Sequence, residues 1–246
     1  MESPETVPGD VPEDAPGRAS AEAAGEVLVL DAAGAGCLAA LVRDGRVAAE
    51  RRSDAMRGQA ATLPAMAAAV LAEAGVRPAA LALIGVTVGP GGFTGLRAAL
   101  SFAHGLALAS GVPLVGVTIG EALAEEVRVP PGRVLWVAQA SRRGHVYLER
   151  DGAVASFALD APPLPPGPVA LAGEAAPEAA AALAAHGADA VALDAPRPGA
   201  AGLARAALRR HRGETRGEVP PRPAQPLYAE PPQARPGGSA PRPAPV

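Results

Sequence analysis

Residues 81–97 read LALIGVTVGPGGFTGLR, and the fold turns on where this stretch changes character. Leu81 to Gly89 is a nearly continuous apolar run, the pattern of a central strand buried on both faces. Gly89-Pro90-Gly91-Gly92 breaks the run, and a helix is expected from about Thr94 to Ser110. A strand, a glycine-rich loop and a helix in that order can aim backbone N–H groups at an anion. Alternatively, the glycines only permit a tight, close-packed entry into the helix. Spacing alone leaves these two readings level. It does exclude two familiar motifs. A P-loop requires Lys, and all 22 basic residues here are Arg. In the dinucleotide fingerprint, with Gly89 and Gly91 as its first glycines, the third would fall on Thr94.

Upstream, Val27–Asp31 (VLVLD) reads as a short buried strand. Cys37–Arg43 and Arg46–Arg51 flank Asp44-Gly45, the pair favoured in primed hairpin turns. Met56–Ala74 reads as a helix, with Leu63, Met66, Val70 and Ala74 at three- and four-residue steps. Gly75 and Pro78 stop it, and Pro64 is expected in its first regular turn. Downstream, Leu114–Val117 is another buried strand, and Thr118 is the expected N-cap of a helix to Val127. Three strands followed by alternating helices and strands predict an α/β, ribonuclease-H-like layer.

The remainder predicts a smaller, degenerate lobe of the same kind. Strands are expected at 134–139, 145–149 and 154–159, then a proline-dense connection at 162–168. A strand at 169–172, an Ala-rich helix at 174–186, a strand at 190–193 and a last helix at 200–212 follow. The expected domains are therefore residues 27–127 and 128–212. Proline crowds both ends, and such segments bury too little apolar surface to offset the entropy of ordering. Residues 1–26 and most of 213–246 are accordingly expected to be disordered tails.

Composition narrows the function classes. The chain has 246 residues, 49% hydrophobic but only 2% aromatic, so its core must be built from Ala, Val and Leu. A single cysteine, Cys37, allows no internal disulfide and no cysteine-based zinc cluster, and a reducing compartment, the cytoplasm, is the simplest reading. The acidic start has no apolar stretch of the signal-peptide kind. Ala98–Gly120 lacks formal charge, but Ser101, His104 and the Gly111-Val112-Pro113 break mark it as helix, turn and strand rather than a membrane span.

Few residues are placed to do chemistry. Asp31 ends a strand and precedes Ala32-Ala33-Gly34-Ala35-Gly36, a turn without a hydroxyl, so a carboxylate capping that turn is favoured over a metal-nucleotide ligand. His104, His145, His186 and His211 form no HxxxH or HExxH pair. There is no GxSxG elbow, and Cys37 lies inside a hairpin strand. The arginines between Arg205 and Arg222 are interleaved with Glu214 and Glu218, which favours a solvated helix end over an RNA site. No cofactor and no metal are expected. The two long helices, by contrast, are apolar on more than one face, with Ala65 and Ala67–Ala69 on one and Ala98, Ala99, Ala103 and Ala107 on the other. Such helices must be buried on both sides or meet a partner.

VLVLDAAGAGCLAALVRDG (27–45), GVTVGPGGFTGLRAALSFAHGLALASGVPLVGV (85–117), VAQASRRGHVYLE (137–149) and PLYAEPPQARP (226–236) together resemble the TsaB (YeaZ) family of bacterial tRNA threonylcarbamoyladenosine biosynthesis. The loop of Gly89, Gly91, Gly92, Gly95 and Arg97 is the most specific piece. The resemblance implies a two-lobed fold of the actin, sugar-kinase and Hsp70 type. It also implies a non-catalytic partner of the paralogue TsaD, which transfers the threonylcarbamoyl group to an adenosine beside the tRNA anticodon. The ATPase TsaE joins that complex, tRNA is reached only through it, and the pairing surface supports homodimers when the paralogue is missing. By position the implied interface comprises Leu63, Met66, Ala67, Val70, Thr94, Ala99, Ala103 and Ala107. A charge at Met66 or Ala103 is therefore expected to break pairing and leave the fold intact. The chain departs from the family at Ala32 and Ala33, at Gln59 and at Gln139, each change leading away from nucleotide or metal chemistry. Asp31 and Gly34 would then be vestiges of a nucleotide loop. The competing reading is an ATP-binding phosphotransferase or ATPase using Asp31 and the 89–95 loop.

Overall fold

The computed structural model describes residues 25–55, 57–141, 144–150 and 152–229. In the first half, β1 (Val27–Asp31), β2 (Cys37–Arg43) and β3 (Arg46–Ser53) run antiparallel, followed by α1 (Gln59–Glu73), β4 (Leu83–Gly89), α2 (Phe93–Ser110), β5 (Leu114–Thr118) and α3 (Ile119–Ala124). The second half contains β6 (Val134–Ala140), β7 (His145–Arg150), β8 (Ala153–Ala158), β9 (Val169–Ala172), α4 (Ala176–Ala185), β10 (Ala190–Ala192) and α5 (Ala200–Arg216). The sheets have orders β3-β2-β1-β4-β5 and β10-β9-β6-β7-β8, so the second repeats the first, with three antiparallel strands and then two parallel ones. This is the two-lobed actin, sugar-kinase and Hsp70-type arrangement. The second lobe is the degenerate one: its β8–β9 connection is the proline-dense segment, where the first lobe has α1.

Side-chain alternation along β1 distributes the core. Leu28 and Leu30 face α1 and α2, where Leu63, Met66, Val70, Leu100 and Ala103 close one apolar layer with Leu41, Ile84 and Val86. Val27 and Val29 face the other way, onto α3 and α5 through Ala122, Leu203 and Ala207. The hairpin turns on Asp44 at φ 49° and Gly45 at φ 73°, the left-handed pair that a primed turn needs. Thr118 caps α3 in a reciprocal capping box with Glu121.

Several boundaries differ from the sequence expectation; among them, α3 stops at Ala124 rather than Val127 and β3 runs on to Ser53. Helix α1 begins at Gln59 because Gly58, at φ 88°, cannot be helical; Met56 lies outside the described residues. Pro64 therefore sits inside the helix rather than in its first turn. Helix α5 continues to Arg216, where Gly217 at φ 71° ends it, and it packs on the first sheet rather than within the smaller lobe. Beyond it, residues 217–229 are docked: Ala224 is buried and the Leu227 N–H donates to the Val88 carbonyl at 2.7 Å. The rest of the two expected tails, 1–24 and 230–246, lies outside the described residues. Among the described residues no helix is long and apolar enough to cross a membrane.

Carboxylates tie one lobe to the other. Glu149, buried on β7, accepts from the Thr118 hydroxyl and from the Gly120 N–H (2.8 Å) at the start of α3. Burial pushes its carboxyl above the usual range, against the lowering pull of those two donors. Glu126, just after α3, caps α5 by accepting from the Gly199 and Gly202 N–H groups at 2.7 and 2.8 Å, which fastens the returning helix to the first lobe. These contacts sit at helix N-termini, where a negative charge meets unpaired donors and the positive dipole end.

Candidate functional site

Between the lobes lies the turn 31–36, the place of the competing nucleotide reading. Asp31 ends β1, and its Oδ1 accepts from the Thr87 hydroxyl at 2.6 Å and from the Ala33 N–H at 3.0 Å. Burial raises its carboxyl above the ordinary range; the Thr87 and Ala33 donors and the Arg52 charge oppose the rise. The carboxylate caps its own turn, as the sequence favours. From the other lobe, Glu174 reaches across to accept from the Ala35 N–H at 3.0 Å, beside Gly34. Arg197 donates to the Ala35 carbonyl at 2.8 Å and to Asp54 at 3.0 Å.

The glycine loop resolves toward close packing. A Cβ on Gly91 would lie 2.1 Å from the Ala33 carbonyl oxygen, and one on Gly95 would lie 2.3 Å from that of Ala32. The loop and first turn of α2 thus lie directly on the 31–35 turn. The Gly92 N–H, one of the donors an anion would need, is bonded to the Ala33 carbonyl at 2.7 Å. Gly89 is at φ 116°, and Gly89-Pro90 is a cis peptide. A triphosphate does not fit this donor set: the turn offers no hydroxyl, the Gly92 amide is committed, and Asp31 is held by Thr87. Among the described residues no group of three or more His, Cys, Asp or Glu side chains could hold a metal ion.

Gln139, on β6, is buried, and its Nε2 has no hydrogen-bond partner; Gly173 is close to it. Gln59 donates from Nε2 to the Ala55 carbonyl at 3.3 Å. Cys37 is buried with its thiol against the Met66 sulfur at 3.7 Å, and burial raises its pKa.

The expected interface residues require correction. Leu63, Met66, Ala67, Val70, Ala99 and Ala103 are all buried against the first sheet, because they are the stripe that fills its core. Ala107 is half-buried against the same core. Of the eight, Thr94 alone is exposed. A charge at Met66 or Ala103 would therefore disrupt the protomer itself. The open faces of these helices carry other residues: Ala61, Ala65, Ala68 and Ala72 on α1, and Phe93, Arg97, Ser101, Gly105 and Leu108 on α2. Phe93 and Leu108 are 55% and 88% exposed. The Arg97 guanidinium stacks 3.8 Å from the Phe93 ring centre and donates to the Tyr228 hydroxyl at 2.9 Å. His104 also holds the C-terminal segment, at 2.7 Å from the Ala224 carbonyl. Spacing gave no signal for Tyr228, Glu174 or Glu149, whose partners lie 131, 139 and 31 residues away.

Comparison with known proteins agrees with this geometry. Residues 53–162 match the family described as TsaD: tRNA N6-adenosine threonylcarbamoyltransferase. Uncharacterized proteins of Mycobacterium tuberculosis and Mycobacterium bovis are 35% identical over 216 residues, covering 85% of this chain and 94% of theirs. YeaZ from Pseudomonas aeruginosa superposes with a TM-score of 0.64 at 28% identity, covering 83% of this chain and 99% of its own. A second structure from that organism, of an uncharacterized protein similar to peptidase YeaZ, gives 0.66 at 27%, covering 84% and 100%. With these sequence relatives and this fold, the chain belongs to the YeaZ (TsaB)-like family.

Proposed function

We propose that this chain is a non-catalytic subunit for tRNA N6-threonylcarbamoyladenosine formation, one that docks and stabilises the catalytic paralogue TsaD in the cytoplasm. The observation that carries the reading is the outward side of α1 and α2, where four alanines, Phe93, Arg97 and Leu108 stand exposed on two long helices. Small residues let a partner's helices approach closely, while exposed aromatic and Arg side chains are the types enriched at protein interfaces. The cleft points the same way. Several of its polar groups are engaged with one another, with Thr87 on Asp31, Gly92 on Ala33 and Ala35 on Glu174, which leaves fewer of them for substrate. The ATPase TsaE would join the pair, and a second copy of this chain would occupy the same helices when the paralogue is absent.

The test is reconstitution. The chain alone should transfer no threonylcarbamoyl group. Mixed with the paralogue it should form a stable complex, and modified tRNA should appear with that complex, TsaE, ATP and threonylcarbamoyl-adenylate. Transfer by the chain alone, or failure to pair, overturns the reading. Turnover of Mg·ATP by the isolated chain, abolished by Asp31→Asn, would install the phosphotransferase alternative.

A further inference from the structure

Six of the 22 arginines fall within residues 205–222, and the structure sorts them into two sets. Arg210 and Arg222 turn inward: Arg210 pairs with Glu121 and Glu214 at 3.1 Å each, and Arg222 pairs with Glu121 at 2.6 Å. They fasten α5 and the C-terminal segment to α3. Arg205, Arg209, Arg212 and Arg216 occur at steps of four, three and four on α5, and all four are exposed. That spacing places them in one row along the helix, about 16 Å from first to last. Arg205 donates to the Glu125 carbonyl at 2.9 Å, while Arg212 and Arg216 are weakly committed. Arg205 and Arg209 share one carboxylate, Glu125, at 3.8 and 2.5 Å; Arg216 lies 3.8 Å from Glu218 and is 68% exposed. Arg212 has no ion pair among the described residues. An exposed pair such as Arg216–Glu218 contributes little and exchanges readily for another anion.

We infer that this arginine row is a direct contact surface for the phosphate backbone of RNA. The chain contains no Lys, so the choice of Arg carries no information; the placement does. The exposed row contains no aromatic or large apolar side chain, and a desolvated protein interface needs such a centre. The apolar side of α5 is already buried against the first sheet through Leu203 and Ala207, so it has no greasy face to lay on a membrane. Regularly spaced cations on a rigid rod suit a repeating polyanion, whose contacts position without reading sequence. Helix α5 also lies on the opposite side of the sheet from α1 and α2, so a subunit docked there leaves the row open. The choice of RNA as the polyanion rests on the tRNA-modification reading above, and it adds a direct contact where the resemblance implies only an indirect one.

The experiment titrates full-length chain against a fluorescent tRNA transcript at several salt concentrations. The variant Arg205→Gln/Arg209→Gln/Arg212→Gln/Arg216→Gln is compared with an equal-charge control, Arg43→Gln/Arg46→Gln/Arg51→Gln/Arg52→Gln, on β2 and β3. The α5 variant should bind at least tenfold more weakly, with the slope of log K against log salt shallower by about 3. The control should stay within threefold. Arg212→Glu alone, which disturbs no ion pair, should lose about threefold, so a poorly folded quadruple variant does not decide the matter. Wild-type affinity in the α5 variant, equal loss in both quadruple variants, equal affinity for heparin, or tighter binding to phosphatidylglycerol vesicles each overturns the inference. Pairing with the paralogue is measured separately. The α5 variant should still pair, and a wild type that binds tRNA through the row without pairing would sink the functional reading and leave the row standing.

Discussion

Gly91→Ala tests what the glycine loop is for. Its new methyl would stand 2.1 Å from the Ala33 carbonyl oxygen and 2.6 Å from the carbonyl carbon, about an ångström inside ordinary contact. The obstacle is backbone, so no side chain can swing away. The turn is also held from three directions, by Gly92 N–H on Ala33, Asp31 on the Ala33 N–H, and Glu174 on the Ala35 N–H. Relief requires the loop or the turn to move, with loss of one or two of these bonds. Overpacking of about 1–3 kcal/mol and about 1 kcal/mol for a lost hydrogen bond give roughly 3 kcal/mol together. For a protein of this size that is a fall in Tm of about 6–12 °C. Gly92→Ala is the internal control. Its methyl would meet the Ala33 oxygen at 3.7 Å, an ordinary distance, and it should melt within a few degrees of wild type. The assay is thermal unfolding by circular dichroism, with Mg·ATP calorimetry alongside. Equal melting of the two variants, or loss of nucleotide binding in Gly91→Ala at unchanged Tm, would refute the packing account.

On the exposed side of α2, if the proposed docking holds, Leu108→Arg should abolish association with the paralogue in size-exclusion chromatography while leaving Tm unchanged. Met66→Arg, which puts a charge into the core layer, should instead cost several kcal/mol and yield little folded protein. For Glu149 the sign follows from its raised carboxyl: its stabilising contribution is complete below the ordinary glutamate value and is lost as pH rises through the folded one. Glu149→Gln, which cannot ionise, should therefore gain on wild type in Tm as pH rises from 4 to 8, and a gap moving the other way would contradict the burial argument. Ending the chain after Glu218 removes buried Ala224 and the Leu227–Val88 bond, and should lower stability by about 2–4 kcal/mol in chemical unfolding.

Where local chemistry dominates, the sequence was a good guide. The bounds of β1, β2 and β9 agree with their apolar runs, Asp44-Gly45 makes its turn, and Thr118 caps α3. The outward face of α1 was not legible in the same way. When alanine surrounds a helix, the stripe of Leu63, Met66 and Val70 stands out, yet large apolar side chains mark the side turned toward the core. The outward side, proposed above for docking, is mostly alanine. Proline density misled at the C-terminus for a related reason. Composition counts the prolines between Pro220 and Pro226, whereas three particular side chains, Ala224, Leu227 and Tyr228, find seats on β4, β5 and α2. The carboxylates that bridge the lobes were invisible because each meets backbone donors far along the chain, and backbone amides leave no mark in a sequence.

The placement of α5 and the segment after it has a consequence for synthesis. The first lobe begins at β1 but lacks one of its covering layers until α5 arrives, and the β4 end stays uncovered until Leu227 has left the ribosome. The smaller lobe, β6 to β10, is finished first, as an insert within an incomplete host. Release before α5 is made would leave Val27, Val29 and Val115 facing water on a half-built sheet, the kind of exposed apolar surface that makes an unfinished domain prone to aggregate.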